Sequence, residues 1–161
     1  MLKNLNQEDF IVSKTDTKGN ITYVNKSFID MSEYSKEELI GKPHKVIRHP
    51  DMPKVVFKIL WDKIKKGEEV FAFVINATKD KNEYWVFANI TPSYNNNDEI
   101  IGYYSARRQI NTNKLKAIKE LYAKLKQEES IKGISGSEKL LNNILQEKGV
   151  SYNEFITSIQ G

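Results

Sequence analysis

The chain has no cysteine among its 161 residues. This absence excludes disulfide bonds, thiolate nucleophiles, zinc sites built on cysteine and switches based on thiol oxidation. No run of residues approaches the roughly 18 consecutive apolar residues that a membrane-spanning helix needs. The opening residues, MLKNLNQEDF, contain no apolar segment of the kind found in secretory signals. We therefore expect a cytoplasmic location, and any redox chemistry must come from a group other than sulfur.

The chain also lacks a strongly basic segment. Lysine and arginine number 25 against 21 acidic residues, which gives a net charge of only +4. Proteins that bind nucleic acid usually concentrate positive charge on one face or arm. With 39% hydrophobic and 29% charged residues, the composition is that of one soluble domain with some additional elements. We expect no nucleic-acid partner.

The rarest cations of the chain are clustered in residues 41–53, GKPHKVIRHPDMP. Five cationic side chains fall within eight residues, and they include both histidines and one of only three arginines: Lys42, His44, Lys45, Arg48 and His49. Pro50 and Pro53 fix the local backbone. Such a cluster suits an anionic group. The alternative is a surface loop in which Asp51 caps the following helix.

Five segments are rich in β-branched and aromatic residues and are separated by turn residues. They predict strands at residues 10–15, 21–24, 70–77, 83–91 and 100–106. Between the second and third segments, apolar residues recur at helical spacing, and Ser35 with Glu38 forms a capping-box pattern. The order β-β-α-α-α-β-β-β predicts an α+β domain, with a five-stranded antiparallel sheet and helices on one face.

From residue 113 the pattern becomes helical, with an apolar seam formed by Leu115, Ile118, Tyr122 and Leu125. Residues 133–136, which contain two glycines, predict a break, and further helix is predicted after it. Two interpretations of the seam stay open. It packs back on the sheet, or it forms a signalling helix that dimerises or docks on a partner.

The order of these motifs resembles a PAS domain. Asn25, Phe28, Tyr34, Glu38, Leu39 and Gly41 carry the general resemblance. The Gly-x-Pro-His pattern followed by Arg-His-Pro-Asp-Met-Pro is similar to the flavin-binding PAS domain of bacterial aerotaxis and energy-taxis receptors. In layout the chain is most similar to the short PAS subunit of the bipartite energy-taxis systems of the Campylobacter group.

The resemblance implies a PAS fold with a C-terminal helical tail. It divides the chain into an N-terminal cap at 1–9, a sensor domain at 10–110 and a helical signalling or interaction segment at 111–161. It implies a cytoplasmic redox or energy sensor. We do not expect an enzyme, because no nucleophile or set of metal ligands accompanies His44 and His49, which could otherwise act as acid and base. The sensor would signal to a membrane-bound chemoreceptor-type partner. Through that partner it would associate with the membrane. The resemblance also allows a homodimer.

The resemblance also implies that FAD is held non-covalently between the sheet and the middle helices. On this basis His44, Arg48, His49 and Asp51 are expected to contact the cofactor or to lie near it. Asn76 corresponds to a strand asparagine that hydrogen-bonds the flavin ring, unless its side chain faces outward.

Two tryptophans complete the predicted site, each with a structural alternative. Trp61 lines the flavin pocket or is a core residue on the apolar face of its helix. Trp85 contacts the ligand or belongs to the core or the surface of the sheet. Family members commonly have a tryptophan shortly after the Lys-Lys-Gly-Glu turn, where this chain has Glu-Val-Phe. Phe71 or Phe73 is the expected substitute.

Two other functions stay open at this stage. A haem-binding gas sensor would use His44 or His49 as axial ligand. A PAS module without cofactor would serve only for assembly. The cysteine adduct of flavin photoreceptors is excluded, because the chain has no cysteine.

Overall fold

The computed structural model describes residues 1–161. Its strands are β1 (Ile11–Thr15), β2 (Ile21–Val24), β3 (Val70–Ala77), β4 (Glu83–Tyr94) and β5 (Ile100–Gln109). Its α-helices are α1 (Lys26–Ser32), α2 (Lys36–Leu39), α3 (Lys54–Lys65), α4 (Leu115–Lys148) and α5 (Tyr152–Gln160). Two short 3-10 helices span His44–Ile47 and Thr112–Lys114.

The strands form one antiparallel sheet in the order β2-β1-β5-β4-β3. This confirms the predicted α+β class and the five-stranded sheet. The last two strands run three residues further than predicted, to Tyr94 and Gln109, because they pair with each other along nearly their whole length. The added residues are mostly polar or proline, so their own propensities gave little strand signal.

Alternation along the strands gives the sheet two different faces. The face towards α3 carries Val74, Asn76, Ala88, Ser105 and Arg107, and we call it the cavity face. The residues between them point to the other side, which we call the tail face: Phe71, Phe73, Ile75, Trp85 and Phe87.

The C-terminal helices pack on the tail face. Ile118, Tyr122 and Leu125 are buried, and the Tyr122 ring lies 5.8 Å from that of Trp85. The Tyr122 hydroxyl donates a hydrogen bond to the carbonyl of Phe73, on the free edge of β3. Of the two interpretations of the seam, packing on the sheet is therefore the one observed. No helix in the structure combines the length and the apolar character needed to cross a membrane.

Helix ends explain much of the local geometry near the cavity. The side chain of Asn25 caps α1 by accepting from Phe28 N–H, and the predicted capping box at Ser35 is present. Asp51 does not cap α3, contrary to the loop interpretation. That helix instead takes its cap from Glu129 of α4, whose carboxylate accepts from two of its first N–H groups.

Candidate ligand-binding cavity

A cavity of about 200 Å³ lies between the cavity face of the sheet, the 3-10 helix at His44–Ile47 and α3. Its walls are largely apolar. The aliphatic and aromatic lining residues include Phe57, Leu60, Trp61, Ile64, Val74 and Ile90. Cavities of this kind, apolar with a few converging polar groups, are typical of small-molecule sites.

The polar part of the lining is positively charged. Lys18, Lys45 and Arg48 are exposed residues at its rim, and Arg107 lies inside with only 4% exposure. No aspartate or glutamate lines the cavity. Since nothing in the lining neutralises these four cations, the cavity favours a ligand that carries negative charge.

Arg107 lies in the middle of a short hydrogen-bonded group. Its Nη2 donates to Ser13 Oγ at 2.9 Å and lies 2.7 Å from His44 Nε2, and Ser13 Oγ is 3.2 Å from the same nitrogen. A guanidinium can only donate, so His44 Nε2 accepts and its proton is on Nδ1. Burial and the adjacent Arg107 charge lower the pKa of His44 to about 3. His44 is therefore neutral at physiological pH.

Several buried polar atoms at this site have no partner within the protein. Asn76 Nδ2, Ser105 Oγ and Arg107 Nη1 all belong to residues that line the cavity. The Tyr84 hydroxyl lies opposite Asn76 in the strand register, and burial raises the pKa of Tyr84 to about 12. Because native proteins pair nearly all buried polar groups, these donors point to a ligand that accepts hydrogen bonds.

Trp61 contributes to the wall of the cavity rather than to the core alone. Its ring meets Tyr103 edge-on at 5.7 Å, and both residues line the cavity. The ring also approaches Gly19, where an added Cβ would lie 3.2 Å from it. Gly19 has φ +86°, so glycine serves both the turn between β1 and β2 and the close approach of Trp61.

Arg48 is held at the rim by two contacts. Its guanidinium lies 4.0 Å from the centroid of the Phe57 ring, and its backbone forms a bridge with Asn76. Partial burial of the guanidinium lowers the pKa of Arg48, which still leaves the side chain charged at neutral pH. Four of the residues predicted from the sequence thus meet at one cavity: His44, Arg48, Trp61 and Asn76.

The structure does not bring His49 and Asp51 to the cavity. His49 Nδ1 accepts from the backbone N–H of Asp51, and its Nε2 lies 2.9 Å from Glu83 Oε2. The Asp51 side chain is 76% exposed. Successive side chains along the 3-10 helix and the turn after it point in different directions. His49 and Asp51 are therefore close to Arg48 in sequence but do not face the cavity with it.

Trp85 is also outside the cavity, because it points to the tail face and packs on Tyr122. The same alternation rules out the expected substitutes for the family tryptophan. Phe71 and Phe73 lie on the tail face, while Val70 between them and the turn is buried on the cavity face. The aromatic wall of the cavity comes instead from Trp61, Tyr103 and Phe57.

Arg107 is the main residue that sequence reasoning missed. Tyr103, Ser105 and Arg107 alternate on one face of β5, and all three line the cavity. Arg107 continues the face of Tyr103 and Ser105 at period two, but the predicted strand ended at residue 106 and so left it out. Ser13 was visible as a polar residue two positions after Ile11, on the same buried face of β1.

Comparisons with known proteins agree with this architecture. Residues 21–107, just over half the chain, match the family model described as PAS fold. The chain is 39% identical over 115 residues to the aerotaxis receptor of Escherichia coli K12. The aligned region covers 71% of this chain and 22% of that protein. It is 27% identical over 104 residues to a nitrogen fixation regulatory protein of Klebsiella pneumoniae, covering 65% and 21%.

Solved structures show the same fold. A PAS domain from Colwellia psychrerythraea superposes with a TM-score of 0.58 at 23% identity, covering 63% of this chain and 86% of that one. A light-oxygen-voltage domain studied with a flavin analogue gives a TM-score of 0.58 at 23% identity, covering 78% and 90%. The chain spans about a fifth of the length of the curated relatives it matches. On its sheet topology and the match over residues 21–107, the chain belongs to the PAS-fold family.

Proposed function

We propose that this protein is a redox-sensing PAS domain of energy taxis that binds FAD non-covalently and signals to a membrane-bound chemoreceptor-type partner. One observation carries the cofactor assignment. The Asn76 amide is buried without a hydrogen-bond acceptor, in an apolar cavity that is lined by four cations and no carboxylate.

The residues present fit a flavin dinucleotide. Asn76 and Ser105 offer hydrogen-bond donors to the carbonyl and nitrogen atoms of a flavin ring, and Trp61 offers an apolar wall. The exposed cations Lys18, Lys45 and Arg48 suit the diphosphate, which is too polar to enter the apolar interior. When bound, a flavin supplies reversible uptake of electrons and protons. A change in ring charge would alter the hydrogen bonds from β3 and β5, and the sheet would pass that change to a partner.

The relatives support the sensory role. The aerotaxis receptor is the relative with 39% identity, and a light-oxygen-voltage domain shares the fold. A photochemical adduct on cysteine is not available to this chain. We therefore favour a response to cellular redox state, in a cytoplasmic PAS subunit of the type that works with a separate receptor in the Campylobacter group.

Haem is the weaker cofactor candidate. The Nε2 atom of His44 already contacts Arg107 and Ser13, and the Nε2 atom of His49 contacts Glu83 outside the cavity. An axial ligand must offer a free nitrogen towards the iron. Either histidine would have to give up a close contact first.

We also propose that the domain is not an enzyme. Ser13 and His44 form the one serine–histidine contact in the cavity, at 3.2 Å. A general base works best with a pKa near the operating pH. The pKa of His44 is lowered to about 3 by burial and by Arg107, so this imidazole is a poor base for activating the serine.

The visible absorption spectrum of the purified protein, recorded before and after dithionite, tests the proposal. We expect a two-banded yellow spectrum that bleaches on reduction, and extraction should then yield FAD rather than FMN. A Soret band would identify a haem protein instead. A colourless protein that does not take up added FAD would leave a PAS module that serves only for assembly.

A further inference from the structure

The first turn of α3 has no cap from its own neighbourhood. Pro53 stands at the cap position and offers no side-chain hydrogen bond. Instead the two carboxylate oxygens of Glu129 accept from the N–H groups of Lys54 and Val55, each at 2.9 Å. A carboxylate at a helix N-terminus makes charge-assisted bonds and meets the positive end of the helix dipole.

Further contacts hold the α4 segment around Glu129 in place, one of them within α4, one to the turn before α3 and one to α3 itself. Ser137 Oγ donates to Glu129 Oε2 at 2.8 Å, and Lys126 Nζ donates to the carbonyl of Pro50 at 2.7 Å. Lys58 of α3 and Glu138 of α4 form an ion pair at 2.8 Å. Together these contacts form a junction between the two helices.

The same junction adjoins the cavity through residues 48–53. Arg48 lines the cavity and bridges to the backbone of Asn76, while Met52 is buried and its sulfur accepts from Ile75 N–H at 3.4 Å. The segment is therefore anchored to β3 at two points. Its far end is the start of α3, where Glu129 binds.

On the other side of the junction, the chain bends. Gly133 has φ 74° and ψ −171° and separates α4 into two helical parts, with Glu129 before it and Ser137 after it. Ile131 and Ile134 beside this bend are 68% and 38% exposed. A change at Glu129 would alter how the two parts of α4 are held relative to α3.

We propose that Glu129 is a positioning residue for the cavity, and that the C-terminal helices report cavity occupancy through it. The ligand part of this inference rests on the proposed FAD binding. A ligand that orders Arg48 would order the start of α3 and so strengthen the Glu129 contact. Linkage makes the effect reciprocal, since loss of the Glu129 contact must weaken ligand binding by the same factor.

The positioning role can be tested in the ligand-free protein. Hydrogen exchange of the backbone amides of residues 48–56 is compared among the unmodified protein, Glu129→Ala and Glu129→Gln. The control is Glu128→Ala, which removes a neighbouring carboxylate that pairs only with Lys132. We expect exchange to rise about fivefold to tenfold in Glu129→Ala, by an amount typical of a lost cap.

Glu129→Gln keeps one acceptor oxygen and should show a smaller increase. If Glu129→Ala loses its circular dichroism signal, Glu129→Gln alone decides the result. The positioning role would be overturned if exchange were unchanged in a folded Glu129→Ala protein, or in Glu129→Gln where Glu129→Ala does not fold. An equal increase in Glu128→Ala would also overturn it.

The reporter role is tested by adding FAD to the unmodified protein. We expect exchange to slow in residues 126–138, and we expect the FAD dissociation constant to rise about fivefold to tenfold in Glu129→Ala. If FAD binds but neither change occurs, the reporter role is wrong and the proposed cofactor stands. If FAD does not bind, the proposed cofactor and the reporter role both fail, and the ligand-free experiment still decides whether Glu129 positions residues 48–56.

Discussion

The imidazole of His44 accepts a hydrogen bond from the guanidinium of Arg107, with 2.7 Å between Nε2 and Nη2. The two residues are 63 positions apart in the chain, one on a 3-10 helix and one on β5. A protonated imidazole could not accept this bond, so His44 must be neutral wherever the pair is intact. Burial lowers the pKa of Arg107 to about 10, which leaves it charged at neutral pH.

The first prediction concerns stability against pH. The pKa of His44 is about 3 in the folded protein, lowered by burial and by Arg107, against an ordinary value of 6.5. Between these values the unfolded chain binds a proton that the folded chain does not, so the free energy of unfolding falls as pH falls from 6.5 towards 3. We expect His44 to account for a loss of about 2 kcal/mol between pH 7 and pH 5.

Urea unfolding of the unmodified protein and of His44→Gln at both pH values measures this loss. Glutamine stays uncharged and can still accept from Arg107, so its loss of stability over the same interval should be smaller by that amount. The carboxylates contribute equally to both proteins and cancel. Equal losses in the two proteins would show that His44 gains a proton without penalty.

The second prediction is that the Asn76 side chain lowers the stability of the ligand-free protein and strengthens the binding of FAD. Its buried Nδ2 has no partner, so Asn76→Leu should raise the free energy of unfolding of the ligand-free protein by about 1 kcal/mol. The same change should weaken FAD binding about tenfold, because it removes the donor. Thermal unfolding and flavin titration measure the two effects.

Asn89 of β4 provides the control for Asn76. Its Nδ2 donates to Glu69 at 2.8 Å and it lies on the tail face, so Asn89→Leu should not stabilise the protein and should leave flavin affinity unchanged. A loss of stability in Asn76→Leu would mean that the amide has a partner in solution.

The third prediction distinguishes binding of the ring of the proposed FAD from binding of its diphosphate. Arg48 is an exposed cation at the rim, so Arg48→Gln should weaken FAD binding about tenfold at low salt and less at high salt. Riboflavin, which has no phosphate, should bind both proteins nearly equally. Arg108→Gln is the control, since Arg108 lies over Phe87 on the tail face. An equal loss for both ligands would place Arg48 against the ring instead.

The fourth prediction compares two buried tyrosines behind the sheet. Tyr122→Phe leaves the carbonyl of Phe73 without its donor and should lower the free energy of unfolding by about 1 to 2 kcal/mol. The hydroxyl of Tyr152 is buried without a partner, so Tyr152→Phe should be neutral or stabilising. Denaturant unfolding of both variants measures the difference. Similar values for the two would show that the Tyr122 hydrogen bond adds nothing to stability.

The local sequence was enough to predict the elements and the family. Turn residues at 16–20, the capping box at Ser35 and the glycine at 133 all act within a few residues, so their effects can be read directly from the chain. The Gly-x-Pro-His and Arg-His-Pro-Asp-Met-Pro motifs also marked the right region, because His44 of the first and Arg48 of the second line the cavity.

Which residues meet was decided by tertiary structure alone. Arg107 reaches His44, Glu129 caps α3, and Trp85 turns away from the cavity, all through pairing and packing between segments that are distant in sequence. Because side chains alternate along a strand, the register of β3 and β4 places Asn76 and Trp85 on opposite faces of the sheet. The alternation does not determine which of the two faces α3 covers. The sequence by itself thus determined the local elements. Strand register and helix docking brought the side chains of the site together, because the energies of both depend on contacts between segments that are distant in sequence.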